Sequence, residues 1–537
     1  MKITGQNLSI QQVYDVAVNG EPVTLAVGPL AAVEACFNRV QTWGEQQYPI
    51  YGVNTGFGEL IHCFIPAQYR TQLQQNLLRS HAAGYGEWFS ESVTRAIMVV
   101  RLNSLIKGYS GVSVQVLELL QHCLNRKIHP IIPMQGSLGA SGDLAPLAHL
   151  ALALMGQGQV QFEGKLQEAA TVFKAEHLKP LSLGYKEALA LINGTSAMTG
   201  VGCLVIAKID YLLKLAVLAS ADVVQCLQGS SSPFEAKGHA LKNHRGQVVI
   251  ARQMHQLLEG SRLVQNHDVI AGRLYQAWEQ HQSAHREDTV FKSDIYLQSA
   301  YSLRCIPQIL GPVLDTLQFC RQIVEAEVNS CNDNPLLFDT PEATFHGGNF
   351  HGQYVAMACD FLNIAVIEIG VLAERQLNRL LDPHLNGDLP PYLAAGQVGL
   401  QSGFEGAQYL ATSLAAENLS LAAPSSVLSI SSNGSNQDVV SMGLIAARKT
   451  LQLCENTATI LATLVAACHQ AYYFLDGAKF SPQVKTLHHQ LATVAECYQD
   501  DVPIHALINQ VRTFLLEGPG NSLVHGCVGF CSDSQGI

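Results

Sequence analysis

Charge is scarce in this sequence. Of its 537 residues only 14% are Asp, Glu, Lys or Arg, against about 25% in an average soluble chain. A disordered or heavily solvated protein shows the opposite balance, low hydrophobicity with high charge, and that class is excluded. Basic clusters are missing too. The 32 Lys and Arg are outnumbered by 43 Asp and Glu, and they gather no further than a pair such as Arg448-Lys449. Nucleic-acid binding needs a basic footprint, so it is excluded as well. Long apolar tracts are interrupted: Val201 to Val224 carries Lys208, Asp210 and Lys214. A membrane-spanning helix needs about 20 nearly charge-free residues, so a buried helix of a soluble protein is expected there. The start, Met1 to Ile10, lacks a basic segment followed by an apolar one, and no secretory signal is expected.

The 14 cysteines are scattered, as reduced thiols are in a cytoplasmic protein. Cys527 and Cys531 lie close together in a Gly/Ser tail, but no set of four ligands surrounds them, and no metal site is expected. With 48% hydrophobic residues and little charge to cover a surface, much of the monomer surface is expected to pack against other subunits. The length suits three or four ordinary domains or one elongated body.

Helical periodicity dominates from about residue 90. Ser90 is placed to cap a segment with Val93, Ile97 and Val100 on one face. Longer segments follow at 202–224, 308–328, 353–380, 408–421 and 441–467. Within 356–379 the only acids are Asp360, Glu368 and Glu374, and a helix apolar nearly all round belongs in the middle of a bundle. One hairpin is predicted, from Gln159 to Lys165. Gly- and Asn-rich stretches fall between helices at 51–58, 135–142, 345–352 and 431–438. Loops carried by a rigid scaffold are the usual place for chemistry. The tail from Gly518 reads as loosely ordered.

The stretch Gln135-Gly136-Ser137-Leu138-Gly139-Ala140-Ser141-Gly142-Asp143 admits a plain reading, a Gly-rich loop with Asp143 capping the next helix. As a phosphate loop it is weak, lacking the Lys-Ser/Thr of a Walker motif. Ala140-Ser141-Gly142 suits a different chemistry. The unhindered Gly142 nitrogen can attack the Ala140 carbonyl, and loss of water, including the Ser141 hydroxyl, leaves a five-membered ring with an exocyclic methylene. Here the sequence closely resembles the histidine, phenylalanine and tyrosine ammonia-lyases and related aminomutases, which make such a methylidene-imidazolone (MIO) from Ala-Ser-Gly. The resemblance extends to Tyr51-Gly52-Val53-Asn54-Thr55-Gly56-Phe57-Gly58, Leu191 to Thr195, Tyr301 to Cys305, Asn332-Asp333-Asn334-Pro335, Gly347 to His351 and Asn433 to Asp438.

The resemblance implies roles. MIO would form autocatalytically from Ala140, Ser141 and Gly142, with no external cofactor, and would make the substrate nitrogen a better leaving group. Tyr51 would be the base that removes a β-proton, which for a phenol requires an electropositive pocket and a lowered pKa. Gly52, Gly56 and Gly58 would let its loop close over the substrate. Arg304 would clamp the substrate carboxylate. Asn193, Tyr301 and Gln298 would lie around the prosthetic group and amine, Asn332 and Phe350 along the pocket, and Asn433, Asn436 and Gln437 beside the substrate. Gln437 stands where histidine enzymes carry a Glu that binds imidazole, which argues against histidine. Ser80-His81, in Leu78-Arg79-Ser80-His81, resembles the selectivity pair seen both in histidine enzymes and in some bacterial tyrosine ammonia-lyases; His81 can bond a phenol hydroxyl there, and it also suits a catalytic or structural histidine.

The activity implied first is deamination of L-tyrosine to trans-4-coumarate; a histidine ammonia-lyase and a 2,3-aminomutase are the alternatives. A non-catalytic protein on the same scaffold is the reading from another class. The implied fold is all-α and aspartase/fumarase-like: an N-terminal head over 1–200, a central bundle over 201–475 and C-terminal helices and tail over 476–537. The implied assembly is a homotetramer of D2 symmetry with shared active sites, in which Arg304 and Gln437 reach Ser141 across chain boundaries.

Overall fold

A computed structural model describes residues 1–284 and 290–530; Cys531 lies outside the described residues. Among the described residues helices hold 60% and strands 6%, the helical class expected. The chain forms two compact units. The first comprises Met1–Ala207, Phe319–Leu362 and Ala423–Leu451; the second comprises Lys208–Gln318, Asn363–Ala422 and the chain from Gln452 onwards. Four of the five boundaries fall within the longest helices, Ser196–Cys226, Ile306–Val328, Gln353–Leu381 and Gly443–Phe474, and the fifth follows helix Glu405–Ser420. Compactness and sequence order therefore partition this chain differently.

The long segments read from periodicity are all helices, with Glu405–Ser420 as the fifth; the first begins six residues before its expected start and the last runs seven past its expected end. Contrary to the expectation of interrupted tracts, Gln353–Leu381 and Gly443–Phe474 are long and apolar enough to cross a membrane, but 72% of the most apolar window of each is buried within the protein. Core helices have that character. The Ser90 hydroxyl caps helix Glu91–Leu105 by accepting from the Val93 amide at 3.4 Å. The helix is not buried on one face only, for every residue from Val93 to Leu105 is buried, including Arg95 and Arg101. These two guanidiniums survive burial by bonding backbone carbonyls: Arg95 reaches Val16 and Leu124, and Arg101 reaches Ala190 and Asn193.

The first unit carries all four Gly- and Asn-rich loops. The predicted hairpin pairs Gln159–Phe162 with Lys165–Glu168. A second small sheet joins Tyr85–Trp88 to Pro133–Gln135 and delivers the chain directly into the loop at 136–142; helix Leu144–Leu154 leads it away. In the second unit, the tail expected to be loose from Gly518 instead forms helix Pro519–Cys527, with Pro519 in its first turn and Val524 buried.

Candidate active site

The Ala140-Ser141-Gly142 loop is clamped from two sides. Gly142 sits at φ +68°, and a Cβ on it would lie 2.1 Å from the Gly194 carbonyl oxygen. The two glycines form a parallel bridge, and the Asp143 amide donates to the Gly194 carbonyl at 2.7 Å. On the other side, the Met442 amide donates to the Leu138 carbonyl at 2.9 Å and the Ser441 hydroxyl to the Gly139 carbonyl at 3.1 Å. Asp143 does not cap its helix through its side chain as expected. Its carboxylate instead accepts from the Ser137 hydroxyl and the Met198 amide, both at 2.8 Å, so it ties the loop to helix Ser196–Cys226. Full burial outweighs these bonds and pushes its pKa up to about 7.

Ala140 and Ser141 open onto two cavities, of about 830 and 340 Å³. Tyr51, Gly58, Asn193 and Gln437 line both as well, and so mark where the two meet. His81 and Asn433 line the larger cavity, Phe350 and Asn436 the smaller. The triad fits a methylidene-imidazolone: its third residue has a positive φ and no room for a side chain, and its serine hydroxyl reaches the cavity, accepting from Gln437 Nε2 at 3.1 Å.

Gln437 reaches Ser141 within one chain, a correction to the expectation that it would do so across a chain boundary. The tight turn from Ser432 to Gln437 makes this possible, with backbone bonds in both directions at 3.0 and 3.3 Å. The same turn supports the Tyr51 loop, since a Cβ on Gly58 would lie 2.2 Å from Asn433 Nδ2. Tyr51 Oη accepts from the Gly58 amide at 3.1 Å, and its ring meets Phe57 edge-on at 6.1 Å. The expected lowering of the Tyr51 pKa is not what this chain alone produces. Burial and then the Asp333 carboxylate raise it, against the single lowering influence of the Gly58 amide.

His81 ends helix Arg70–His81. Its Nδ1 lies 2.9 Å from the Leu77 carbonyl, which can only accept, so Nδ1 carries the proton and Nε2 is the bare acceptor. Burial lowers its pKa, against the raising effect of the bond to the Leu77 carbonyl. Asn193 follows helix Glu187–Ile192, and its Nδ2 donates to Asp333 Oδ1 at 3.0 Å and to the Asn334 carbonyl at 2.9 Å. Asn332 does not line the pocket. It is 1% exposed, and its amide is consumed by Arg101, Ser104 and Thr195.

Tyr301, Gln298 and Arg304 belong to the second unit. Arg304 bonds Gln298 Oε1 and lies 4.7 Å from the centroid of the Tyr301 ring, which is 69% exposed. None of the three is among the residues lining the two cavities. Sequence reasoning missed Lys186 and Arg101, and it named Asp333 within a motif without giving it a role; the three are the buried charges behind Asn193. The available signal for the two cations was a positive charge inside or beside an otherwise apolar helical run.

The sequence profile described as Aromatic amino acid lyase matches residues 8–493. A tyrosine 2,3-aminomutase of Chondromyces crocatus is 58% identical over 515 residues, 96% of each chain. A tyrosine ammonia-lyase of Cupriavidus metallidurans is 48% identical over 458 residues, 85% of this chain and 83% of the relative. The crystal structure of the tyrosine aminomutase from Streptomyces globisporus superposes with a TM-score of 0.93 at 41% identity, covering 99% of both chains. The chain is therefore an enzyme of the aromatic amino acid lyase and aminomutase family and has that family's helical fold.

Proposed function

We propose that this chain is a tyrosine 2,3-aminomutase, which moves the amino group of L-tyrosine from Cα to Cβ and yields β-tyrosine. The observation that carries this reading is the 58% identity to an aminomutase over 96% of both chains, against 48% to an ammonia-lyase over a shorter span. The motifs alone led first to the lyase but do not exclude the aminomutase, because elimination is the half-reaction that both activities share. Ala140, Ser141 and Gly142 would supply the prosthetic group, whose electrophilic methylene would make the substrate amine a better leaving group.

The remaining work falls to side chains. Tyr51 Oη accepts the β-proton and gives a proton back at Cα as nitrogen rejoins at Cβ, and closure of its loop against Asn433 keeps water from the acrylate in between. For Tyr51 to act as the base, a positive charge must offset the burial and the Asp333 carboxylate that raise its pKa. Arg304 is that charge and also the carboxylate clamp, in a homotetramer where one subunit's Tyr301-Arg304 segment serves another's cavity. The exposure of Tyr301 and the exposed apolar stripe of Tyr354, Met357, Phe361 and Ile364 support such an assembly. His81 Nε2 accepts the substrate phenol proton, which favours tyrosine over phenylalanine.

Incubation with L-tyrosine, L-phenylalanine and L-histidine separately, with a Ser141→Ala control, tests the reading. β-Tyrosine is the expected product, with trans-4-coumarate in smaller amount. Coumarate alone would return the assignment to an ammonia-lyase, and urocanate from histidine would remove tyrosine as the substrate.

A further inference from the structure

Behind Asn193 lies an ion pair that touches neither cavity. Lys186 and Asp333 have fully buried side chains, with Nζ 2.5 Å from Asp333 Oδ2; Nζ also donates to the Ser110 carbonyl at 3.2 Å. Asp333 Oδ1 faces the other way and accepts from Asn193 Nδ2 and from the Asn334 amide. Both acceptors of the Asn193 amide, a carboxylate and the Asn334 carbonyl, lack protons to give. A flipped amide would set Oδ1 against two acceptors, so Nδ2 is committed inward and Oδ1 is the atom left for the cavity. Removing water from two charges is costly, and a pair kept at this spot needs a reason beyond stability.

We propose that the Lys186–Asp333 pair is a positioning device, which locks the Asn193 amide so that a bare oxygen acceptor faces the N–H groups of the substrate amine. Lys186 holds the carboxylate, the carboxylate holds the amide, and the amide meets the nitrogen that leaves one carbon and joins the next. This rests on the reading of the site as an amino-acid site and adds to it two positioning residues and a direction for the amide.

Two charge-neutral double variants isolate the acceptor, Lys186→Met with Asp333→Asn and Lys186→Met with Asp333→Leu. Asn and Leu have nearly the same shape, and only Asn can accept from Asn193. In a Ser141→Ala background, affinities are measured for L-tyrosine and for 3-(4-hydroxyphenyl)propanoate, which lacks the amine. The Leu variant is expected to lose about tenfold in the ratio of the two affinities, and the Asn variant to keep it. With Ser141 present, kcat is expected to differ about thirtyfold between the two double variants. Equal ratios in the two double variants would overturn the proposal, since a merely structural role weakens both ligands alike. If the Leu variant does not fold, Asp333→Asn alone decides. It leaves an amide N–H group facing either Lys186 or Asn193, so it should be slower than the Asn double variant, and an equal or faster single variant contradicts the device. Failure of the tyrosine reading would show separately, in wild-type enzyme that leaves tyrosine unconverted; the variants are then compared on the amino acid it does consume.

Discussion

Gly142 combines a left-handed backbone with a neighbour, the Gly194 carbonyl, that occupies the place of a side chain. Gly142→Ala must therefore distort the loop whose third nitrogen has to reach the Ala140 carbonyl. The variant should fold, lose the near-UV absorption of the prosthetic group and show no turnover; retention of that absorption would contradict the role given to the loop. His81 makes a second residue-scale claim. With Nδ1 bonded to the Leu77 carbonyl, His81→Phe removes the phenol's acceptor and should shift the ratio of kcat/KM for tyrosine over phenylalanine by about 10- to 100-fold toward phenylalanine. An unchanged ratio would make His81 structural. Identities at this scale were legible because each carries a chemistry in its type: a serine between alanine and glycine, a tyrosine among glycines. Environments were not. The raised pKa of Tyr51 comes from burial and from Asp333, 282 positions away along the chain, and no local pattern announces such a neighbour.

Among the elements, helices were legible wherever apolar periodicity ran for several turns, and Ser90 showed where one begins. Asp143 misled, since a residue type suited to capping is equally suited to tying a loop to a distant amide, and only tertiary structure chooses. Polar residues between packed helices carry a pH dependence. In the second unit, His469 Nδ1 lies 3.1 Å from His488 Nδ1, and His488 Nε2 lies 3.1 Å from Asp222 Oδ1. Burial, and then the charge of His488, lower the His469 pKa from 6.5 to about 4, against the raising effects of the Ala495 carbonyl and Asp222. Unfolded chains take up this proton near pH 6.5 and the fold resists it until about 4, so its contribution to stability is lost as pH falls through that window. Asp143 works in the opposite sense, since the fold holds its proton up to about pH 7 where an ordinary carboxyl releases it near 3.8. His469→Gln isolates the first effect: its urea midpoint should approach or pass that of wild type at pH 4.5 while lying below it at pH 7. A gap independent of pH would refute the assignment.

For the whole molecule, scarcity of charge raised the expectation of association, and the exposed apolar residues on helix Gln353–Leu381 offer the proposed assembly a surface, with Tyr354 74% exposed. A charge placed there, as in Tyr354→Glu, should yield dissociated and inactive chains by light scattering and assay; active monomers would separate catalysis from assembly. The family was legible at this scale because its motifs are spread along most of the chain. The fate of the nitrogen was not, because elimination and rearrangement use the same residues, and the preference proposed for rearrangement rests on whole-chain likeness alone. The most direct measurement follows that atom. Nitrogen-15 L-tyrosine is given to the enzyme in an excess of unlabelled ammonium, and early products are identified by mass. The account predicts β-tyrosine that retains most of the label; labelled ammonium released in step with coumarate, without β-tyrosine, would contradict it.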